Sequence, residues 1–185
     1  MIQRVIMALD LGTRTGWAIL RADGKVESGH AHFPVKPGEG QGARYVKFRR
    51  WLVDMKQAHA DIAELVYEQV MGHGAFQVIS AHVYGGMLAT LQAFGEHHQL
   101  AYRGIGVSTI KKQFAGHGKA SKTDVIHQCE ALGFRPASDN EADAIALLHV
   151  ATGRCPVLTM TGATPKKGAR KTRPMPELQP GETPF

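Results

Sequence analysis

The chain predicts an α/β fold built on a five-stranded mixed sheet, three antiparallel strands followed by two parallel ones, flanked by helices. Two observations carry that prediction. Three β-favouring runs fall at the start of the chain, separated by tight-turn signals, which is how an antiparallel meander is written in sequence. After them, segments of helical periodicity alternate with short apolar runs, the pattern of parallel crossovers. The 185 residues are enough for one domain with a sizeable core and too few for two ordinary ones.

Taken in order, Arg4 to Asp10, Gly16 to Arg21 and Lys25 to Phe33 read as the three opening strands, with Asp23-Gly24 as the turn between the last two. A Gly- and Pro-rich loop, Pro34 to Gly42, leads into Ala43 to Ala60, where Tyr45, Phe48, Leu52 and Met55 recur at helical spacing. Leu65 to Val70 is short and β-favouring. Val78 to His97 is periodic and long enough for a helix despite Gly85-Gly86. Leu100 to Val107 returns to strand, and Ser108 to Phe114, Lys122 to Leu132 and Ala142 to Thr152 read as helices separated by Gly116-His117-Gly118 and the loop at Pro136. In this order the first strand lies centrally, with the Leu65 to Val70 strand beside it. Their ends then meet at one sheet edge, where ligand sites of α/β sheets gather.

Past Arg154 the composition changes. Residues 155–185 hold six of the nine prolines and five Lys or Arg between Lys166 and Arg173, so one domain over 1–154 and a basic, disordered tail are expected. Against Glu177 and Glu182 the five basic residues leave +3, half of the formal net charge of +6. Such an arm raises affinity for nucleic acid without sequence preference. The overall basicity, pI near 9.5, points to a polyanionic partner. Cys129 and Cys155 show no CxxC spacing, which suits a reduced cytosol rather than zinc or redox work. No apolar run approaches the ~20 residues of a bilayer span, and Met1 to Arg4 opens no signal peptide. A cytoplasmic protein without a membrane partner is expected.

Three acids stand out. Alternation puts Ile6, Ala8 and Asp10 on one face of the first strand, so Asp10 inherits a core-facing direction, although Asp also commonly opens a turn. Glu68 follows Val66 on a face of a strand, where glutamate is depleted. Asp143 shares a helical stripe with Ala146, Leu147 and Val150, and an acid there is seldom buried unless paired or metal-bound. Ser138 and Glu141 have the spacing of a capping box, which makes Glu141 structural. Asp139 and Asn140, one turn before Asp143, either complete a ligand set or favour the helix dipole. Hard carboxylate oxygens suit a pair of Mg²⁺ or Mn²⁺ ions about 3.5–4 Å apart, which activate water on one side of a phosphate and stabilise the leaving oxygen on the other. His30, His32, His73, His82, His97 and His98 form no HExxH or finger spacing.

Four segments then carry a family resemblance: Ala8-Leu9-Asp10-Leu11-Gly12-Thr13-Arg14-Thr15-Gly16-Trp17-Ala18, Tyr67-Glu68-Gln69-Val70, Ala120-Ser121-Lys122-Thr123-Asp124-Val125, and Glu141-Ala142-Asp143-Ala144-Ile145-Ala146. In this order and spacing, from about Ile2 to Gly153, they resemble the RuvC-type Holliday-junction resolvases of bacteria and phages. The resemblance implies an RNase H-like fold, a homodimer, no nucleotide cofactor, and Mg²⁺-dependent cuts (Mn²⁺ as substitute, two ions per site) placed symmetrically in a four-way DNA junction. It implies that Asp10, Glu68 and Asp143 are the metal-binding acids. The family's remaining ligand position falls on Asn140, with Asp139 or Glu141 as substitutes. Lys122 matches a lysine near the scissile phosphate, where a cation stabilises developing charge. Gly116-His117-Gly118-Lys119 resembles a glycine loop in which His117 replaces a lysine, and Arg14 is placed to touch a phosphate. Met71 falls where relatives carry an aromatic that wedges into the junction, with Phe76 as the nearby substitute. The resemblance also makes a dimer interface of the Val78 to His97 helix, whose default role is core packing.

Three rival readings stand beside this one. A non-catalytic DNA-binding protein on the same fold is motivated by the neutral Asn140. An actin-like or sugar-kinase-like ATPase is suggested by Asp10-Leu11-Gly12, but it needs two such domains. A nuclease acting on RNA, hybrids or other branched DNA shares the fold, which does not settle function.

Overall fold

The computed structural model describes residues 4–70 and 78–154. Met71, Phe76, Cys155 and the basic segment lie outside the described residues. The expected sheet is present, in the order β3-β2-β1-β4-β5: β1 (Val5–Asp10), β2 (Arg14–Leu20), β3 (Val26–His32), β4 (Ile62–Gln69) and β5 (Ala101–Gly106). β1 is central, antiparallel to β2 and parallel to β4. The β2–β3 hairpin turns at Gly24, whose φ of 82° is the left-handed conformation that favours glycine.

Alternation sorts β1 onto two helical layers. Val5, Met7 and Leu9 pack with Phe48 and Leu52 of α1 (Ala43–Ala58) and with Met87, Leu91 and Phe94 of α2 (Val78–His97). Ile6 and Ala8 pack on the other face with α3 (Val107–Ala115), α4 (Lys122–Ala131) and α5 (Asp139–Thr152). The two layers together cover both sheet faces, so the central strands are apolar on both sides.

Several boundaries differ from the sequence reading. β4 starts at Ile62, not Leu65, and carries an irregularity: Val5 pairs with Ile62 but Ile6 pairs with Glu64. The extra residue, Ala63, lets Ile62 and Leu65 share a face. The buried Glu64 is held at that end by Arg103, 2.7 Å, and Arg4, 3.4 Å. β2 starts at Arg14 rather than Gly16, because the turn closes early. The fully buried Thr15 donates its hydroxyl to Gly12 O at 2.8 Å. α5 starts at Asp139 rather than Ala142. Of the Gly85-Gly86 pair, Gly86 is the close approach: a Cβ there would lie 2.3 Å from the Tyr45 ring, a contact of α2 with α1 inside one chain.

Candidate functional site

The register of β1 and β4 runs Ile6 opposite Glu64, Ala8 opposite Val66 and Leu9 opposite Tyr67. The next step brings Asp10 and Glu68 to neighbouring strand ends, on the sheet face that carries α5. Asp143 reaches them because α5 lies unusually close to β2. Gly16 pairs with Asp10 across β1 and β2, and a Cβ on Gly16 would sit 1.8 Å from the Asn140 carbonyl oxygen. Only a residue without a side chain lets the first turn of α5 lie over that strand pair.

That turn is fastened to the sheet by its own side chains. Asn140 Nδ2 donates to Arg14 O at 3.2 Å, a bond that leaves its amide oxygen available as an acceptor or a metal ligand. Ser28 Oγ donates to Glu141 Oε1 at 2.7 Å and Ala137 N donates to Oε2 at 2.9 Å. The expected capping box is therefore half formed: Ser138 Oγ accepts from Glu141 N at 3.2 Å, but the glutamate turns to β3 and to Ala137 instead of Ser138 N. Glu141 is structural, with both oxygens engaged. The complete capping box lies on α4, between Ser121 and Asp124, and sequence reading passed over it.

Asp10, Glu68 and Asp143 are half-buried, and none of their carboxylates takes a hydrogen bond or an ion pair among the described residues. Their protons are held accordingly. Burial, then the charges of Glu68 and Asp143, push Asp10 well above the usual carboxylate range against the pull of Lys122. Burial and then Asp143 push Glu68 up to about 7. Burial also raises Asp143, opposed by Lys122 and Lys111. Mutual repulsion identifies the three as one electrostatic unit. Hard, unpaired oxygens of like charge fit a divalent cation. As they stand, no group of three or more His, Cys, Asp or Glu is drawn together closely enough to hold a metal ion among the described residues.

Positive charge reaches the unit from two helices. Lys122, exposed at the start of α4, is hydrogen-bonded to Asp139, which holds Asp139 below its ordinary range and raises the lysine. Lys111 on α3 acts on Glu68 and Asp143; sequence reading missed it. The cue available was that α3 directly follows β5, the strand paired with β4. Arg14, His117 and Lys119 are exposed. Arg14 opens β2 beside the site, and His117 Nε2 stands 3.9 Å from Asp124 Oδ2.

No helix among the described residues is long and apolar enough to cross a membrane. No protein-family model matches the chain, and no curated protein matches it. Solved structures do. RuvC of Thermus thermophilus is similar with a TM-score of 0.63 at 19% identity, over 81% of this chain and 95% of that one. The same protein in complex with a Holliday junction substrate gives 0.65 at 19%, over 80% and 92%. The yeast mitochondrial Holliday junction resolvase Ydc2 gives 0.58 at 12%, over 82% and 78%. The five-stranded mixed sheet with its flanking helices is thus the RNase H-like fold in the form that RuvC has.

Proposed function

We propose that this chain is a structure-selective endodeoxyribonuclease that resolves four-way DNA junctions by metal-dependent phosphodiester hydrolysis. The observation that carries the reading is the set of three unpaired, mutually repelling carboxylates at adjoining ends of β1, β4 and the start of α5. The similar fold of a RuvC bound to a Holliday junction substrate supports branched DNA as the substrate.

Asp10, Glu68 and Asp143 hold the cations in this reading, with the amide oxygen of Asn140 or the carboxylate of Asp139 completing the set. A pair of Mg²⁺ or Mn²⁺ ions supplies Lewis acidity and an activated water at neutral pH. The protein's share is orientation and charge. Asp139 positions the exposed Lys122 beside the acids, where its ammonium can neutralise charge that develops on a phosphate. Arg14, His117 and Lys119 track the DNA backbone around the site. Residues 1–154 form the nuclease domain. Residues 155–185 add non-specific affinity through their basic residues, and Met71 or Phe76 is the junction wedge. Paired cuts in two strands require two active sites related by two-fold symmetry, so the working unit is a homodimer, acting in the cytoplasm.

The deciding experiment incubates the full chain with labelled four-way, three-way, flap, duplex and RNA–DNA hybrid substrates in Mg²⁺ and in Mn²⁺. Paired cuts in the four-way junction are expected, together with loss of cutting and retained junction binding in Asp143→Asn. Cutting by that variant would remove the site assignment. A non-catalytic junction binder is the second reading, since Asn140 brings no negative charge to the ligand set; tight binding with no cut in either metal would establish it instead.

A further inference from the structure

Arg44, in the first turn of α1, is held by neutral groups alone. Its Nη1 donates to Thr13 Oγ1 at 2.9 Å and its Nη2 to Gln41 Oε1 at 2.8 Å. Its Nε is buried without a hydrogen-bond partner, and no carboxylate pairs with it among the described residues. A half-buried cation without a counter-charge, carrying an orphaned N–H, is costly unless an anion is supplied. The helix adds to the demand, since α1 has no side-chain cap and no acid in its first turn.

The guanidinium lines a groove of about 330 Å³ between the turn after β1, α1 and the start of α2. Arg44 is the one charged residue of its described lining. Thr13 and Ser80 contribute hydroxyls, Leu11 and Val83 an apolar wall. Ile79, 81% exposed, extends that wall outward. The groove's lining reaches the strand ends that carry the acids. Leu11 to Thr13 directly follow Asp10, and the Tyr84 hydroxyl, also in the lining, donates to Glu68 O at 2.9 Å and accepts from Val70 N at 3.2 Å.

One cation with two hydroxyls, set against an apolar wall in a space of this size, matches a single nucleotide better than its separate parts. A bare phosphate would leave the wall wet, and an apolar ligand would leave the arginine uncompensated. We propose that the groove receives one nucleotide of the DNA strand adjoining the cleaved phosphate, with Arg44 holding that nucleotide's own phosphate and Leu11, Val83 and Ile79 packing its sugar and base. The inference rests on the nuclease reading above and adds a strand-positioning residue to it.

The test uses the full chain and a four-way junction in EDTA, where binding is read without chemistry, with 2-aminopurine scanned through the nucleotides that flank the cut. Wild type should change the fluorescence at one flanking position. Arg44→Gln should lose that change and lower the slope of log affinity against log salt by about one, an effect that a merely structural role would not produce. Ile79→Ser, at an exposed position where folding is not at stake, should lose the fluorescence change and keep the salt slope. If wild type binds and cuts the junction while Arg44→Gln keeps both slope and fluorescence, the groove is not a nucleotide subsite. Should Arg44→Gln fail to fold, unchanged fluorescence in Ile79→Ser overturns the inference by itself. A wild-type protein that binds no DNA removes the function and the inference together.

Discussion

Replacing Glu68 by Gln should stabilise the metal-free protein, and by an amount that grows with pH. Burial and the Asp143 charge raise Glu68 from an ordinary 4.5 to about 7, so the folded protein holds this proton more tightly than the unfolded chain. The contribution to stability is then complete below pH 4.5 and is lost as pH rises through 7. At 1.36 kcal/mol per pH unit, the loss between pH 5 and pH 8 is about 2–3 kcal/mol. For a chain of this length that corresponds to a fall in Tm of roughly 5–10 °C. Asp10 and Asp143 shift in the same direction and steepen the wild-type profile further. Glu68→Gln removes its own share and part of the pressure on Asp10, so its profile should be flatter and its Tm at pH 8 higher. Thermal unfolding followed by circular dichroism in EDTA, from pH 5 to pH 8, measures both. Adding Mg²⁺ at pH 8 should raise wild-type Tm, because a cation that binds only the folded state stabilises it, and should do less for the variant. A flat wild-type profile, or a variant no more stable than wild type at pH 8, would refute the claim that these acids are desolvated and mutually repelling.

Gly16→Ala places a Cβ 1.8 Å from the Asn140 carbonyl oxygen, a backbone atom that cannot swing aside. Overpacking of that kind costs about 1–3 kcal/mol or more, so denaturant titration should show a loss at the upper end of that range, and α5 should lift with Asp143. Lys122→Ala frees Asp139 and withdraws a cation from the acids. Single-turnover cleavage should slow by about 10²-fold or more, with junction affinity much less affected; an unchanged rate would leave Lys122 a surface lysine. Deleting residues 155–185 removes five basic residues between Lys166 and Arg173, so the salt slope of junction binding should fall by up to about four while the cut positions stay fixed. Unaltered slopes would assign the tail no role on DNA.

What could be read in the sequence follows from the range of each interaction. Alternation in Ile6, Ala8 and Asp10 is a property of one strand, so it correctly gave the face on which Asp10 lies, and Asp23-Gly24 carried its turn within two residues. Glu141 failed as a capping-box partner because its strongest bond is to Ser28, 113 residues away, and no local pattern encodes that preference. In the sequence Gly16 is merely the first residue of a strand, for the same reason: its glycine is required by a helix far along the chain. The site divides along this line. Strand register sets where Asp10 and Glu68 stand, but the charges that act on them come from Lys111, Lys122 and Asp143, whose helices are placed by packing across the chain, α5 on β1, β2 and β3, and α3 and α4 on α5. A carboxylate can thus be located from its own strand, whereas its proton affinity, and with it the case for a cation, depends on packing between elements that the sequence keeps apart.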